Sequence, residues 1–182
     1  MDGTRTITLL LALAGCQCRS TAMQGPAVEI TCEPGDVKWS QGEQGIEHWC
    51  EVEDRMHGAY VRFHPDGSVA IKGQYVDNQP DGEWRWYFPT TDDEPKLERK
   101  GKYDQGKLTG EWSWWHDNGQ MLQTGRYING RQSGTWTTWY DNGQRGESGM
   151  YVNGLKDGSW GYWTPAGEEV RTEVWRRGEL LE

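Results

Sequence analysis

Aliphatic residues are what this chain most lacks. Leu, Ile, Val and Phe together make 26 of its 182 residues, and Phe occurs only twice. A share below about 20% with high net charge ordinarily marks a chain too polar to bury a core. The most apolar stretch, Ile7 to Ala14, falls well short of the roughly 20 residues that cross a bilayer as a helix. No segment after it holds a 3.6-residue apolar period, so no helix is expected there. These shortages exclude a Leu-rich bundle and a Val/Ile-rich parallel sheet. Basic residues are also outnumbered, 19 Lys and Arg against 28 Asp and Glu, for a net charge of −9. That balance excludes a phosphate-binding surface for nucleic acid and fits an anionic membrane surface poorly. Cysteine is sparse, and no C-x-x-C or H-x-x-x-H spacing occurs. His48, His57, Cys32 and Cys50 therefore do not read as a metal site, and no cofactor is implied.

What the chain does have is 12 Trp, 8 Tyr and 25 Gly. No solvated linker accumulates Trp. The composition leaves a glycine-punctuated β structure packed by aromatic rings.

The N-terminus reads as a targeting segment. Arg5 lies in a short n-region and Ile7 to Ala14 forms the h-region, within the 7–15 residues such segments use. Leu13-Ala14-Gly15-Cys16 follows. It resembles the bacterial lipoprotein lipobox, which implies cleavage before Cys16 and a lipid on that cysteine. Gln17 in place of Asp favours the outer membrane under the common sorting rule. The expected address is the bacterial cell envelope, lipid-anchored, at the outer membrane or facing the periplasm. Residues 16–31 are polar and patternless and read as a tether. An exported chain meets oxidising conditions, so Cys32 and Cys50 are expected to pair. They close a loop of about 19 residues, which would stabilise by roughly 3 kcal/mol. Cys18, beside the lipid, is the odd one out.

From Cys32 onward the chain becomes periodic. Gly58-Ala-Tyr60, Gly82-Glu-Trp84, Gly110-Glu-Trp112, Gly134-Thr-Trp136 and Gly158-Ser-Trp160 follow at steps of 24, 28, 24 and 24. The long step holds a charged loop within residues 88–100. Five residues after each Gly stand Phe63, Tyr87, Trp115, Trp139 and Trp163. A second series runs Gly73-Gln-Tyr75, Gly101-Lys-Tyr103, Gly125-Arg-Tyr127 and Gly149-Met-Tyr151, closing at Glu173-Val-Trp175. Many positions agreeing over five copies identify a structural repeat. Asp117-Asn-Gly119, Asp141-Asn-Gly143, Asn129-Gly130 and Asn153-Gly154 signal tight turns. Each repeat is then one β-hairpin. A lone hairpin is unstable, so successive hairpins must pair edge to edge in one antiparallel sheet. About ten strands at roughly 4.8 Å spacing would extend 45–50 Å. Rings would cover this single layer, with no separate aliphatic core. Residues 32–57 are expected to form a disulfide-closed cap, with Trp49 in the slot of Gly149, and residues 58–182 to form the repeats.

The repeat resembles the MORN family in its bacterial variant, with the pattern G-x-Y-x-x-G-x-x-x-G-x-W-x-x-W/Y-x-x-x-G. Here it reads from Gly125-Arg-Tyr127 through Gly130, Gly134-Thr-Trp136 and Trp139 to Gly143. The likeness covers about residues 49–178. It implies an elongated, curved all-β sheet of hairpins that serves interaction or scaffolding. Some bacterial members bear an antitoxin-like label, which the export signal argues against transferring. Trp139-Tyr140 before Asp141-Asn-Gly143 also resembles choline-binding cell-wall repeats, although those are about 20 residues long.

The expected function is a non-enzymatic, lipid-anchored envelope module that binds a protein or glycan partner. The alternative is a cell-wall glycan or choline-type ligand held by exposed aromatics between hairpins. Trp86 and Trp114 are the candidate binding surface, because other copies place Arg62 and Thr138 there. An enzyme would need a converging nucleophile, base and acid. His64 and His116 occupy equivalent repeat positions and read as repeat filler. Asp92-Asp93-Glu94 is an acidic loop cluster without the spaced ligands of a calcium site.

Overall fold

The computed structural model describes residues 30–32, 35–43, 45–92 and 94–181. The signal segment, Cys16, Cys18 and the tether up to residue 29 lie outside them, as does Asp93. The described chain falls into two units, Met1–Pro95 and Lys96–Glu182. The first contains β1 (Asp36–Gly42), β2 (Gly45–Val52), β3 (Arg55–Phe63), β4 (Val69–Val76) and β5 (Gln79–Tyr87). The second contains β6 (Leu97–Asp104), β7 (Lys107–Trp115), β8 (Met121–Ile128), β9 (Arg131–Trp139), β10 (Arg145–Val152), β11 (Leu155–Trp163), β12 (Glu169–Arg176) and β13 (Glu179–Leu180). Within each unit the strands pair antiparallel in chain order, and no helix occurs among the described residues. The fold is all-β, an open antiparallel sheet of hairpins. The repeats supply the ten strands β3 to β12. The additional strands are β1 and β2 ahead of them and the two-residue β13.

Two kinds of connection alternate, because two turn chemistries alternate in the sequence. Asn129-Gly130 links β8 to β9 with φ of +50° and +79°. Both central residues being left-handed defines the type I′ turn, whose twist matches a hairpin. Asp77-Asn78, Gln105-Gly106, Asn153-Gly154 and Arg177-Gly178 repeat that geometry. The Asp-Asn-Gly segments behave differently. Residues 116–120 form a five-residue loop in which only Gly119 has positive φ. Gly119 donates to the His116 carbonyl at 2.9 Å, and the Asn118 side-chain oxygen accepts from the Gln120 amide. Asn118 therefore acts as an Asx-turn residue.

The core follows from one bulge used repeatedly. β8 and β9 pair Thr124 with Thr137 and Arg126 with Ser133. Gly125 alone thus faces Gly134, Thr135 and Trp136. This lays the Trp136 indole flat on Gly125, where a Cβ would stand 2.1 Å from Cδ2 of the ring. Gly73, Gly101 and Gly149 receive Trp84, Trp112 and Trp160 in the same way. Trp112, Trp136 and Trp160 form the buried column of the second unit, and Trp84 is buried in the first. Tyrosines interleave edge-on. In the second unit Tyr103, Trp112, Tyr127, Trp136, Tyr151 and Trp160 form a continuous ladder, with centroids 4.9–6.0 Å apart and planes 78–89° apart. Such edge-to-face contacts add about 0.5–1.5 kcal/mol each beyond area burial. Alternation along the strands puts the neighbouring residues on the other face, where Ile128, Met150 and Val152 are exposed.

One expectation needs correction. The first unit does bury aliphatics, namely Ile30, Val61, Val69, Ala70 and Ile71. The copies after it place Leu97-Glu-Arg99, Met121-Leu-Gln123, Arg145-Gly-Glu147 and Glu169-Val-Arg171 where 69–71 stand, so that cluster is not repeated. The cap pairs in the expected register: Glu47, His48, Glu51 and Val52 meet Arg62, Val61, Met56 and Arg55, as Glu147, Ser148, Tyr151 and Val152 meet Tyr162, Gly161, Lys156 and Leu155. Its bulge differs by one position: Trp49 pairs Tyr60 and Glu51 pairs Met56, so the residue skipped by the pairing is Cys50, whereas in β10 it is Gly149. Tyr60 then lies outside the bulge. Cys50 bonds Cys32, with Cα atoms 5.5 Å apart, and is almost wholly buried.

Candidate functional site

At the five-residue loops, each hairpin is tied to the one after it through polar side chains. His64 Nε2 donates to the Tyr87 carbonyl and His116 Nε2 to the Trp139 carbonyl, both at 2.9 Å. The Tyr140 hydroxyl reaches the Trp163 carbonyl at 2.8 Å. Asn118 and Asn142 Nδ2 donate to the Asp141 and Pro165 carbonyls at 2.7 Å. Accepting from each histidine's Nε2 fixes the tautomer and leaves that nitrogen without a free lone pair. His64 and His116 are thus ladder residues. Asp92 sits in the loop beyond β5, where its amide donates to Thr90 Oγ1 at 3.0 Å, and Glu94 is exposed. Among the described residues no three His, Cys, Asp or Glu side chains gather as metal ligands.

The position four residues after each repeat glycine holds Arg62, Trp86, Trp114, Thr138 and Tyr162. It shares the aromatic face with the indole column. An exposed ring is not what the structure shows at Trp86: it is 9% exposed, pairs Ile71 across the strand and lies 5.8 Å from Trp84. Trp114 is half-buried and sits 5.7 Å from both Trp112 and Trp136.

The cavity on this face lies where an aromatic is missing. Cross-strand partners form a row: Trp114, Gln123, Thr138, Glu147, Tyr162 and Arg171. Thr138 stands where Trp86 and Trp114 stand in other copies. Gly146 is the extra residue of the β9–β10 bulge, in the slot of Ala70 and Leu122. Two small residues together leave a groove of about 590 Å³ in the second unit. Leu122, Thr138, Tyr140, Gly146, Glu147 and Tyr162 line it, together with His116, Trp139 and Asp141. The Glu147 amide donates to Thr138 Oγ1 at 3.1 Å, which fixes the floor.

Beside the groove the rings already hold cations. Arg171 lies 4.1 Å from the Tyr162 centroid. Lys156 Nζ lies 4.0 Å above Trp160, 5.1 Å from Trp175, and 2.9 Å from the Tyr162 hydroxyl. The Tyr162 hydroxyl donates to Glu173 Oε2 at 2.7 Å. Burial, then this bond to the Glu173 carboxylate, pushes the phenol up to about 12. The same bond holds the Glu173 carboxyl below the usual range. Burial raises Tyr103, Tyr127 and Tyr151 as well.

Sequence reasoning sought a projecting ring and found Trp86 and Trp114. It missed the groove, which is made by small residues. The signal was present in Thr138 and Gly146, which depart from the large residues of equivalent copies.

A family model described as the MORN repeat variant matches residues 56–77 and 108–129. Each match spans one hairpin with its five-residue loop, β3–β4 and β7–β8. The chain is similar to that family at these two places, and the same hairpin geometry recurs at β9–β10 and β11–β12. No curated protein matches the sequence.

Proposed function

We propose that this protein is a non-enzymatic interaction module, anchored to the cell envelope by a lipid on Cys16. The observation that carries this reading is a constant framework presenting one varied position. Glycines, indoles, tyrosines and loop side chains are consumed in holding one hairpin to another. The position four after each repeat glycine changes from Arg to Trp, Thr and Tyr. Repeat proteins recognise partners through such surfaces, because neighbouring copies hold the varied side chains at fixed spacing. The anchor reading rests on Leu13-Ala14-Gly15-Cys16, the polar tether after it and the oxidised Cys32–Cys50 pair, which suits an exported chain. The test is to purify the protein from membranes, measure its N-terminal mass and identify species cross-linked to it in cells. A lipidated Cys16 and a specific captured macromolecule are expected. An unmodified N-terminus beginning at Met1 would remove the anchor. Hydrolysis of a cell-wall polymer by the pure protein would remove the non-enzymatic reading.

A further inference from the structure

We infer that the groove between Tyr140 and Tyr162 receives a lysine or arginine side chain of a protein partner. The inference rests on the interaction-module reading and names the chemistry of its partner. Three observations converge. The groove has the size of a binding pocket, about 590 Å³, against 300–1,000 Å³ for ordinary ligand sites. Leu122, Tyr140 and Tyr162 give it apolar and aromatic walls, Asp141 and Glu147 give it carboxylates, and His116 lines it but no lysine or arginine does. An acid with aromatic walls and no cation of its own complements an organic cation. The same face also shows how such a group would sit. Lys156 over Trp160 and Arg171 over Tyr162 place an ammonium and a guanidinium on rings immediately adjacent, and Tyr162 takes the Lys156 ammonium on its hydroxyl. Both cations thus reach Tyr162, one wall of the groove, yet neither Arg171 nor Lys156 is among the residues that line it. The net charge of −9 favours approach of a basic segment and disfavours an acidic one.

The test uses the peptide Ac-Gly-Gly-Arg-Lys-Arg-Gly-Gly-NH2, titrated into the full chain and followed by amide chemical shifts. The same peptide with Glu at the three basic positions and free tetramethylammonium are the comparison ligands. Saturable shifts at Gly146, Glu147 and Tyr162 are expected with the basic peptide only. Thr138→Trp restores the ring that other copies carry at that position, so it keeps the fold while filling the groove. It should abolish the shifts. Glu147→Gln should weaken binding at least about tenfold, the loss of one charge-assisted contact. Binding unchanged by both substitutions, or no saturable shift, would overturn the inference. Tetramethylammonium binding as tightly as the peptide would overturn the assignment to a protein side chain. Cross-linking in cells from a photoreactive residue at Gln123 separates the two levels. Capture that persists in Thr138→Trp refutes the groove as the contact and keeps the module, whereas no capture in either chain refutes both.

Discussion

Gly125→Ala puts the most weight on the packing argument. Gly125 does not have positive φ, so alanine fits its backbone. On entropy alone the change would stabilise by about 0.4–1 kcal/mol. The structure demands the opposite. The new methyl would stand 2.1 Å from Trp136 Cδ2 and 2.2 Å from Cε2, inside the ring's van der Waals surface. Neither side can yield cheaply: Gly125 is held in the β8–β9 ladder, and Trp136 is 2% exposed. A shift that keeps the indole in place costs about 1–3 kcal/mol as overpacking. Expelling it costs about 3–5 kcal/mol, as for deleting a buried Trp. A net loss near 3 kcal/mol is expected in urea unfolding followed by Trp fluorescence. The loss should depend on the ring. In a Trp136→Ala background, Gly125→Ala should be neutral or stabilising, a coupling of at least about 2 kcal/mol in a double-mutant cycle. Gly134→Ala is the contrast, because its Cβ would meet nothing within 4 Å while its φ is +72°. Its cost should be only the left-handed penalty of about 1–2 kcal/mol. A loss below about 0.5 kcal/mol for Gly125→Ala, or an equal loss without the Trp136 ring, would refute the reasoning.

Three further outcomes follow from the same geometry. The Trp112 indole donates to the Lys102 carbonyl at 3.2 Å, whereas the buried Trp136 Nε1 has no hydrogen-bond partner among the described residues. Trp112→Phe should therefore cost about 1 kcal/mol more than Trp136→Phe in chemical unfolding, and equal costs would contradict that bond. The raised phenols lend stability that is whole below their ordinary value near 10 and is lost as pH climbs through their folded values. For Tyr162 that window runs from about 10 to about 12, so unfolding and tyrosinate absorbance should rise together there. Tyrosinate forming with an ordinary midpoint in a still-folded protein would count against the buried ladder. Cys50→Ser, which opens the Cys32–Cys50 link over 18 residues of sequence separation, should lower stability by about 3 kcal/mol. A difference below about 1 kcal/mol between this variant and the oxidised protein would show the cap to be held without it.

Much of the fold could be read in advance, because the repeat exposes its own rules. Glycine two residues before an aromatic, recurring at a fixed step, marks the bulge that carries the indole. Asn-Gly marks the type I′ turn. The reading stopped where copies depart from the pattern. Val61 and Val69-Ala70-Ile71 pack as an aliphatic cluster that the periodic positions do not announce. The register of β2 follows the repeat, but its bulge falls at Cys50, the residue that bonds Cys32. The groove eluded a search for prominent residues, since it is a gap that Thr138 and Gly146 leave together. That gap exists only because the β9–β10 pairing sets these two residues side by side. Trp86 misled for the complementary reason. A ring that the pattern leaves optional can still be buried by its own cross-strand neighbour, here Ile71.

The central claim is that recognition happens on the aromatic face at the varied position and not on the opposite side of the sheet. Site-specific photo-cross-linking in cells compares them directly, with the photoreactive residue placed at Gln123 in one chain and at the exposed Met150 in another. A discrete adduct from Gln123, absent from Met150 and lost in Thr138→Trp, is the predicted result. The same adducts from both positions, or adducts from Met150 alone, would contradict it.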